Sequence, residues 1–358
     1  MIYLLLVAGL FMGWSLGTVD SAGAFGTAVA TRVVRYKTAV IIIAVFVVAG
    51  AFIGGSGNIG SLTLLAESNE VLPSKQEVLS SFEIGSLAAV QLSSAIKAAI
   101  IFVCAGLTVF TMSWLKFPVS ANQAITGAII GWGLFSADYT NPDILSVNLP
   151  MIGRFAATWI LNPLGAGIIS FILVKTLGRI MERRFSSLSG YDSFIKAGYL
   201  IAGALGSFSI GLNSSANVTA LYFDPYYSGS GQAANLLTNP TLAATLGGIA
   251  IAIGALTYSR KIMMTVGGGI ADISQMDGFI VIIAMSLTVV IMGKMLGIPV
   301  STSQAMVGAV IGAGLTRGTE AVHFGVIKKI GLAWVISPTV AGVLTYAIAF
   351  LTSGYFRT

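Results

Sequence analysis

The sequence predicts an all-α polytopic membrane protein with two inverted-topology repeats of about five transmembrane helices each, some of them broken or re-entrant. Of its 358 residues, 56% are hydrophobic and only 9% are charged, whereas a soluble domain carries about 25% charged residues. The apolar runs are long enough to cross the hydrocarbon layer as helices, and the alternating pattern of barrel strands is not seen. A polar motif interrupts the apolar sequence twice.

The repeated motif begins Pro-Val-Ser and continues into a glycine-stepped apolar segment. Residues 118–134 and 299–315 agree at 11 of 17 aligned positions, which is more than apolar composition alone would produce. A second pair of segments, 159–163 and 334–338, shares a Trp-x-x-x-Pro pattern. We therefore predict a first repeat over residues 1–177, a cytoplasmic linker over 178–196 and a second repeat over 197–358.

Apolar runs bounded by charges or by Pro and Gly breaks give ten candidate crossings, five in each half. The first run has no basic segment before it and no clear cleavage site, so we interpret it as a retained span. The first five lie near 1–18, 38–55, 96–114, 121–136 and 155–174, and the second five near 197–213, 241–258, 279–297, 302–316 and 330–352. Some of these segments are open to a re-entrant interpretation.

Loop charges predict the orientation of the chain. Basic residues follow the first, fifth, seventh and ninth segments, and the other connectors are acidic or polar. The basic set is Arg32, Arg35, Lys37, Lys175, Arg179, Arg183, Arg184, Lys196, Arg260, Lys261, Arg317, Lys328 and Lys329; the acidic set is Glu67, Glu70, Glu77, Glu83, Asp138, Asp143 and Asp224. With basic loops cytoplasmic, both termini face outward from a plasma (inner) membrane. Topology thus explains the net charge of +6 without a nucleic-acid partner, and an odd number of crossings per half inverts the second repeat.

The Pro-Val-Ser break has a chemical consequence. Proline ends the preceding helix, and Ser120 and Ser301 are natural N-caps for the next one. A new helix amino terminus presents unpaired N–H groups and the positive end of the helix dipole, which together attract an anion. Two such ends predict a cradle for one small anion; the alternative is a pair of proline kinks satisfied by neighbouring helices.

The second polar constellation surrounds Asp20, which ends the first apolar run. An ionisable residue at membrane depth is a functional candidate for cation binding, proton transfer or substrate contact; the alternative is a helix cap at the interface. The matching patch of the second half is Asn213-Ser214-Ser215-Ala216-Asn217. It is polar but uncharged, and it suits either a cation shell, an oxyanion or a simple polar cap.

Together, these motifs resemble the inorganic phosphate transporter (PiT) family over nearly the whole chain. The resemblance implies inverted repeats, a homodimer, and transport of a tetrahedral oxyanion coupled to sodium or protons, with bound sodium and no other cofactor. The family pattern has two Asn-Asp pairs and two histidines. Here Val19 replaces the first Asn, Ser214 replaces the second Asp, and Gln123 and Gln304 replace the histidines. The family resemblance favours phosphate as the substrate. The substitutions favour a sulfate-permease-like branch, because amides and hydroxyls donate hydrogen bonds to a fully ionised anion.

We therefore predict a secondary active transporter working by alternating access, with no catalytic residues. The predicted substrate ligands are Ser21, Ser120, Asn122, Gln123, Ser214, Ser301, Thr302, Ser303 and Gln304, and the predicted cation-coupling residues are Thr18, Asp20, Asn213 and Ser215, with Asp20 and Asn213 as sodium ligands. An intramembrane hydrolase is disfavoured because only Asp20 lies at depth and no histidine lies in a span. An anion-selective channel is the remaining alternative.

Overall fold

The computed structural model describes residues 2–59, 65, 84–136, 148–182, 187–222 and 239–353. This part of the chain is helical except for turns and one isolated β-bridge, Ala271 to Val322. The helices are α1 Ile2–Ala30, α2 Tyr36–Gly54, α3 Ile84–Trp114, α4 Ala121–Ser136, α5 Leu149–Leu173, α6 Leu188–Ser214, α7 Pro240–Tyr258, α8 Arg260–Gly268, α9 Gln275–Leu296, α10 Thr302–Leu315 and α11 Phe324–Leu351. Arg183, Arg184 and the acidic residues Glu67, Glu70, Glu77, Glu83, Asp138, Asp143 and Asp224 lie outside the described residues.

Eight of the ten predicted crossings are helices long and apolar enough to span a membrane, so the all-α polytopic class is confirmed. The two exceptions are the motif helices. Helix α4 has 16 residues and α10 has 14, which gives lengths of roughly 24 and 21 Å. A hydrocarbon core is about 30 Å thick, so neither helix crosses it alone.

Two boundaries differ from the prediction because local capping signals override hydropathy. Helix α6 starts at Leu188, inside the predicted linker, because Ser187 caps it by accepting from Gly190 N at 3.2 Å. The segment between the seventh and eighth predicted crossings contains a helix, α8, which packs against α1. Beyond it, Ser274 and Asp277 form a capping box that starts α9.

Helices α9 and α10 form a hairpin whose two open ends meet. Arg317 Nε, just beyond α10, lies 2.7 Å from Asp277 Oδ2 in the first turn of α9. Backbone hydrogen bonds from His323 N to Ile270 O, at 2.9 Å, join the flanking segments. The chain therefore enters and leaves this hairpin on one side, and the Pro299 break forms its tip. Helices α3 and α4 also pack together, with the Pro118 break between them, so α3–α4 is the first hairpin and α9–α10 the second.

Close packing of the motif helices joins one half to the other. A Cβ on Gly127 or Gly131 of α4 would collide with backbone oxygens of Pro338 and Gly342 in α11. In the same way, a Cβ on Gly308 or Gly312 of α10 would collide with oxygens of Pro163 and Gly167 in α5. The repeat alignment relates all four residues of the first contact to those of the second, so each motif helix packs against the other half's Trp-x-x-x-Pro helix.

Two further pairs of helices repeat this exchange. Gly17 in α1 approaches the Ile251 oxygen of α7, and Gly211 in α6 approaches the Val47 oxygen of α2. The two halves are contiguous in sequence but interleaved in space. These matched contacts are what a pseudo-twofold axis requires, although the inverted orientation itself stays a prediction.

The outer surface is apolar while the centre is polar, the reverse of a soluble protein. Ile160 on α5 and Val343 on α11 are both 65% exposed. Asp20, Asn213 and Gln304 are buried. An apolar exterior is the solvent-facing pattern expected in lipid. The polar groups at the centre therefore need partners inside the bundle.

Candidate functional site

The two Pro-Val-Ser breaks meet at the centre of the bundle. Ser120 and Ser301 cap α4 and α10 as predicted, accepting hydrogen bonds from Gln123 N at 3.3 Å and from Gln304 N at 3.2 Å. Ser303 Oγ donates to the Val119 carbonyl at 2.8 Å and lies 3.1 Å from Ser301 Oγ. The tips of both hairpins are thus in direct contact, and the amino termini of α4 and α10 lie at one place.

Asp20 lies beside this contact in the interior of α1. Ser214 Oγ donates to Asp20 Oδ2 at 3.0 Å, and Thr302 lies next to the same carboxylate. The carboxylate is buried, and α1 continues ten residues further to Ala30. Asp20 is therefore not a cap at a helix end, and the interfacial alternative does not fit the fold.

Asn213 holds the second break through both ends of its amide. Its Oδ1 accepts from Val300 N at 2.9 Å and its Nδ2 donates to Val300 O at 2.7 Å. The proline-interrupted backbone has lost regular helical partners here, and a side-chain amide satisfies both of its polar groups. Asn213 thus positions the break, and its predicted cation contact, through the second lone pair of Oδ1, stays a prediction.

Two positioning residues were missed by the sequence argument. Asn162 in α5 donates to Ser301 O at 2.6 Å, and Trp334 in α11 donates to Pro118 O at 3.2 Å. Both belong to the repeated Trp-x-x-x-Pro segments, whose duplication was the available signal. Each helix supports the break that belongs to the other half.

Two further residues clarify which predicted ligands face the centre. Asn217, which lies in the polar patch but was not predicted as a ligand, donates from Nδ2 to Asn122 Oδ1. It links the second-half patch to the first motif. Thr18 points elsewhere, because its hydroxyl donates to Ser15 O at 2.7 Å and lies 3.1 Å from Ser113 Oγ. Thr18 thus contacts α3 rather than Asp20.

The centre contains many buried polar atoms without a hydrogen-bond partner among the residues that the structure describes. They are Ser21 Oγ, Asn122 Nδ2, Gln123 Oε1, Ser215 Oγ, Asn217 Oδ1 and both side-chain polar atoms of Gln304. Leaving such a group unpaired costs about 1–3 kcal/mol, so buried polar groups normally have partners. Their concentration around two helix amino termini suits a polar ligand that accepts and donates hydrogen bonds.

The oxygen-rich side near Asp20 suits a hard cation such as sodium. A carboxylate and neighbouring hydroxyl oxygens are the ligands that hard cations prefer, and Asp20, Ser21, Ser214 and Thr302 supply them. Among the described residues, no group of three or more His, Cys, Asp or Glu side chains could hold a metal ion. The donor set therefore fits a weakly held monovalent cation better than a transition metal.

The known proteins that this chain resembles are membrane transporters and permeases. The family model described as the phosphate transporter family matches residues 16–345. A protein of Pyrococcus horikoshii that is provisionally named a phosphate permease is 26% identical, over 96% of this chain and 95% of its own. The sulfate permease CysP of Bacillus subtilis is 27% identical, over 97% and 87%. A solved structure described as the sodium-dependent phosphate transporter shares the fold, with a TM-score of 0.76, 22% identity and 98% coverage of both chains.

Proposed function

Because the chain belongs to the phosphate transporter family, we propose that it is a secondary active transporter of a small tetrahedral oxyanion. The family is one of transporters, so the expectation that the chain is not an enzyme is confirmed. Phosphate is the first candidate substrate, since the family description and the Pyrococcus horikoshii relative both name it. Sodium or proton coupling, alternating access and a homodimer in the plasma membrane are further parts of the proposal.

The observation that carries this proposal is the direct contact between the two hairpin tips. Ser303 Oγ and Val119 O are 2.8 Å apart, so the amino-terminal ends of α4 and α10 lie next to each other. Helix amino termini stabilise anions through their N–H groups and dipoles. Gln123, Gln304 and Asn122 add buried polar atoms that have no partner in the described part of the chain, and these atoms would supply specific hydrogen bonds to an oxyanion.

Charge balance explains why a cation should accompany the anion. Asp20 is the only charged side chain among the predicted ligands, and it is buried beside Thr302. Two negative unit charges about 6 Å apart repel by about 3 kcal/mol at an effective dielectric constant near 20. A sodium ion or proton on Asp20 removes this repulsion. Cation and anion binding therefore favour each other, which is the thermodynamic requirement for symport.

Sulfate is the second candidate, favoured by the uncharged hydrogen-bonding groups of the site. Ser214 stands where the family pattern has a second aspartate, and its hydroxyl is used to donate to Asp20. Gln123 and Gln304 stand where the pattern has histidines. Sulfate at neutral pH carries no proton, so it needs donors rather than a carboxylate acceptor. The similarity to a sulfate permease supports this alternative.

Uptake into proteoliposomes tests the proposal. Purified protein is reconstituted, and entry of labelled phosphate or sulfate is measured with an inward sodium gradient, a proton gradient or neither. We expect saturable uptake that needs one of the gradients, and competition by the unlabelled substrate anion. Flux that ignores both gradients and does not saturate would favour the channel alternative, and no flux of either anion would refute oxyanion transport.

A further inference from the structure

We propose a second anion site, separate from the centre, formed by the turn that follows α3 and by the start of α8. Its basic residues are Lys116, Arg260 and Lys261, which line a cavity of about 560 Å³ together with Thr257, Tyr258 and Thr265. This set is called the basic cavity below. The ligand class is a phosphate-type oxyanion, carried either by the headgroup of an anionic lipid or by a free inorganic ion.

The basic cavity contains positive charge that no carboxylate among the described residues neutralises. None of its lining residues is acidic, and the ion pairs found in the described part of the chain involve only Arg317 with Asp277 and His323 with Asp272. Lys261 Nζ donates to Tyr258 Oη at 3.1 Å, which orients the ammonium group without cancelling its charge. Three cations around one cavity therefore create a positive potential that an anion relieves.

The position of Arg260 and Lys261 strengthens this argument. They are the first two residues of α8, where the helix dipole is positive and cations are unfavourable. Helix stability thus gives no reason for two bases at this end. An oxyanion at the same place would interact favourably with both side chains and with the dipole.

Lys116 adopts a backbone conformation that favours glycine. Its φ is 66°, and its counterpart in the second hairpin is Gly297, with φ 63°. A residue with a side chain in the left-handed region costs free energy relative to glycine. The first hairpin has Lys116 at the position where the second has Gly297, which adopts this conformation without strain. Lys116 lines the basic cavity. We infer that its charge is used.

The predicted orientation places this cavity on the cytoplasmic side, where anionic lipids concentrate. Basic pockets between membrane helices on that side bind phosphate-bearing headgroups. The lining also includes Met264 and the ring of Tyr258, which suit the organic part of a headgroup, whereas the three bases alone suit a free anion.

Binding measurements on the purified full-length chain test the site without depending on transport. Phosphatidylglycerol is compared with phosphatidylcholine by native mass spectrometry, and inorganic phosphate is titrated by calorimetry. The variants are Lys116→Gly, Lys116→Arg and the double substitution Arg260→Gln with Lys261→Gln. The control is Lys328→Gln with Lys329→Gln, which removes two exposed bases at the start of α11.

We expect Lys116→Gly to weaken binding by about fivefold, the effect of one lost charge contact, and the double substitution to weaken it further. Lys116→Arg and the α11 control should bind like the parent chain. Lys116→Gly relieves backbone strain, so an unchanged or higher melting temperature will verify folding. Loss in the phosphatidylglycerol arm alone identifies a lipid headgroup, and loss in the inorganic phosphate arm alone identifies a free anion. Equal affinity of the parent and both neutralised variants in both arms, or equal loss in the α11 control, overturns the proposal.

Discussion

The Ser303 hydroxyl donates to the Val119 carbonyl at 2.8 Å, and this bond joins the tips of two hairpins that are 184 positions apart in the sequence. The bond brings two helix amino termini together at the centre of the bundle, because each tip carries one of them. Alternating access requires the halves to move relative to each other. This bond is therefore a candidate for a contact that forms in one state and breaks in the other.

Replacing Ser303 by alanine should shift the conformational equilibrium. One net hydrogen bond contributes about 1 kcal/mol, so we expect roughly a fivefold change in the ratio of states and altered transport rate, with little change in melting temperature. Distance distributions between spin labels on the two hairpins measure the ratio directly. Unchanged distributions and an unchanged rate would mean that this bond persists throughout the cycle.

Replacing Asp20 by asparagine should uncouple anion and cation. The substitution keeps the size of the side chain but removes the charge that repels the anion, so anion binding should lose its dependence on sodium or protons. Affinity in the absence of the cation should rise by up to about 100-fold, the equivalent of about 3 kcal/mol. Calorimetric titration of the anion with and without the cation checks this, with Thr18→Ala as a control that leaves the carboxylate in place. A variant that retains full cation dependence would place the coupling ion elsewhere.

Replacing Asn213 by alanine should destabilise the protein. Val300 N and Val300 O would both lose their partner, at a cost of about 2–5 kcal/mol for two unpaired buried groups. We expect a lower melting temperature together with loss of uptake. The matched control is Asn148→Ala, which removes a helix cap at α5 and costs about 1 kcal/mol. If both variants behave alike, Asn213 does not support the break.

Replacing Gly127 or Gly308 by alanine should prevent close packing between the halves. The added methyl group would collide with the Pro338 oxygen in one case and the Pro163 oxygen in the other, and overpacking costs about 1–3 kcal/mol or more. Equal losses of folded protein are expected, because the two contacts are related by the repeat. Gly331→Ala on α11 is the control, since nothing lies within 4 Å of its added methyl group. Differing losses for Gly127 and Gly308 would argue against matched environments.

Labelling of single cysteines tests the predicted topology. In a Cys104→Ser background, Tyr3→Cys at the exposed start of α1 should react with a membrane-impermeant maleimide in intact cells. Thr319→Cys, in the exposed segment between α10 and α11, should react only after permeabilisation. The basic connectors carry the orientation signal. The opposite labelling pattern would reverse both termini.

The features that depend on local composition and spacing could be predicted before the fold was known. Low charge and long apolar runs identified a membrane protein, and proline followed by serine placed the starts of α4 and α10 correctly at Ser120 and Ser301. These follow from hydrophobicity and backbone chemistry within a few residues. The duplicated motif also identified the residues that gather at the centre, although their roles as ligands stay predictions.

The exchange of the duplicated parts between the halves and the pairing of the polar groups are visible only in the folded protein. Two copies of a motif look alike in sequence. Nothing local therefore indicates that Asn162 of the first half donates a hydrogen bond to Ser301 of the second, or that Asn213 pairs with the backbone of Val300. The same applies to Lys116, whose neighbours Arg260 and Lys261 follow a helix of the other half. Such contacts depend on the packing of helices far apart in the chain, where close approach at glycines such as Gly127 and Gly308 fixes which surfaces meet.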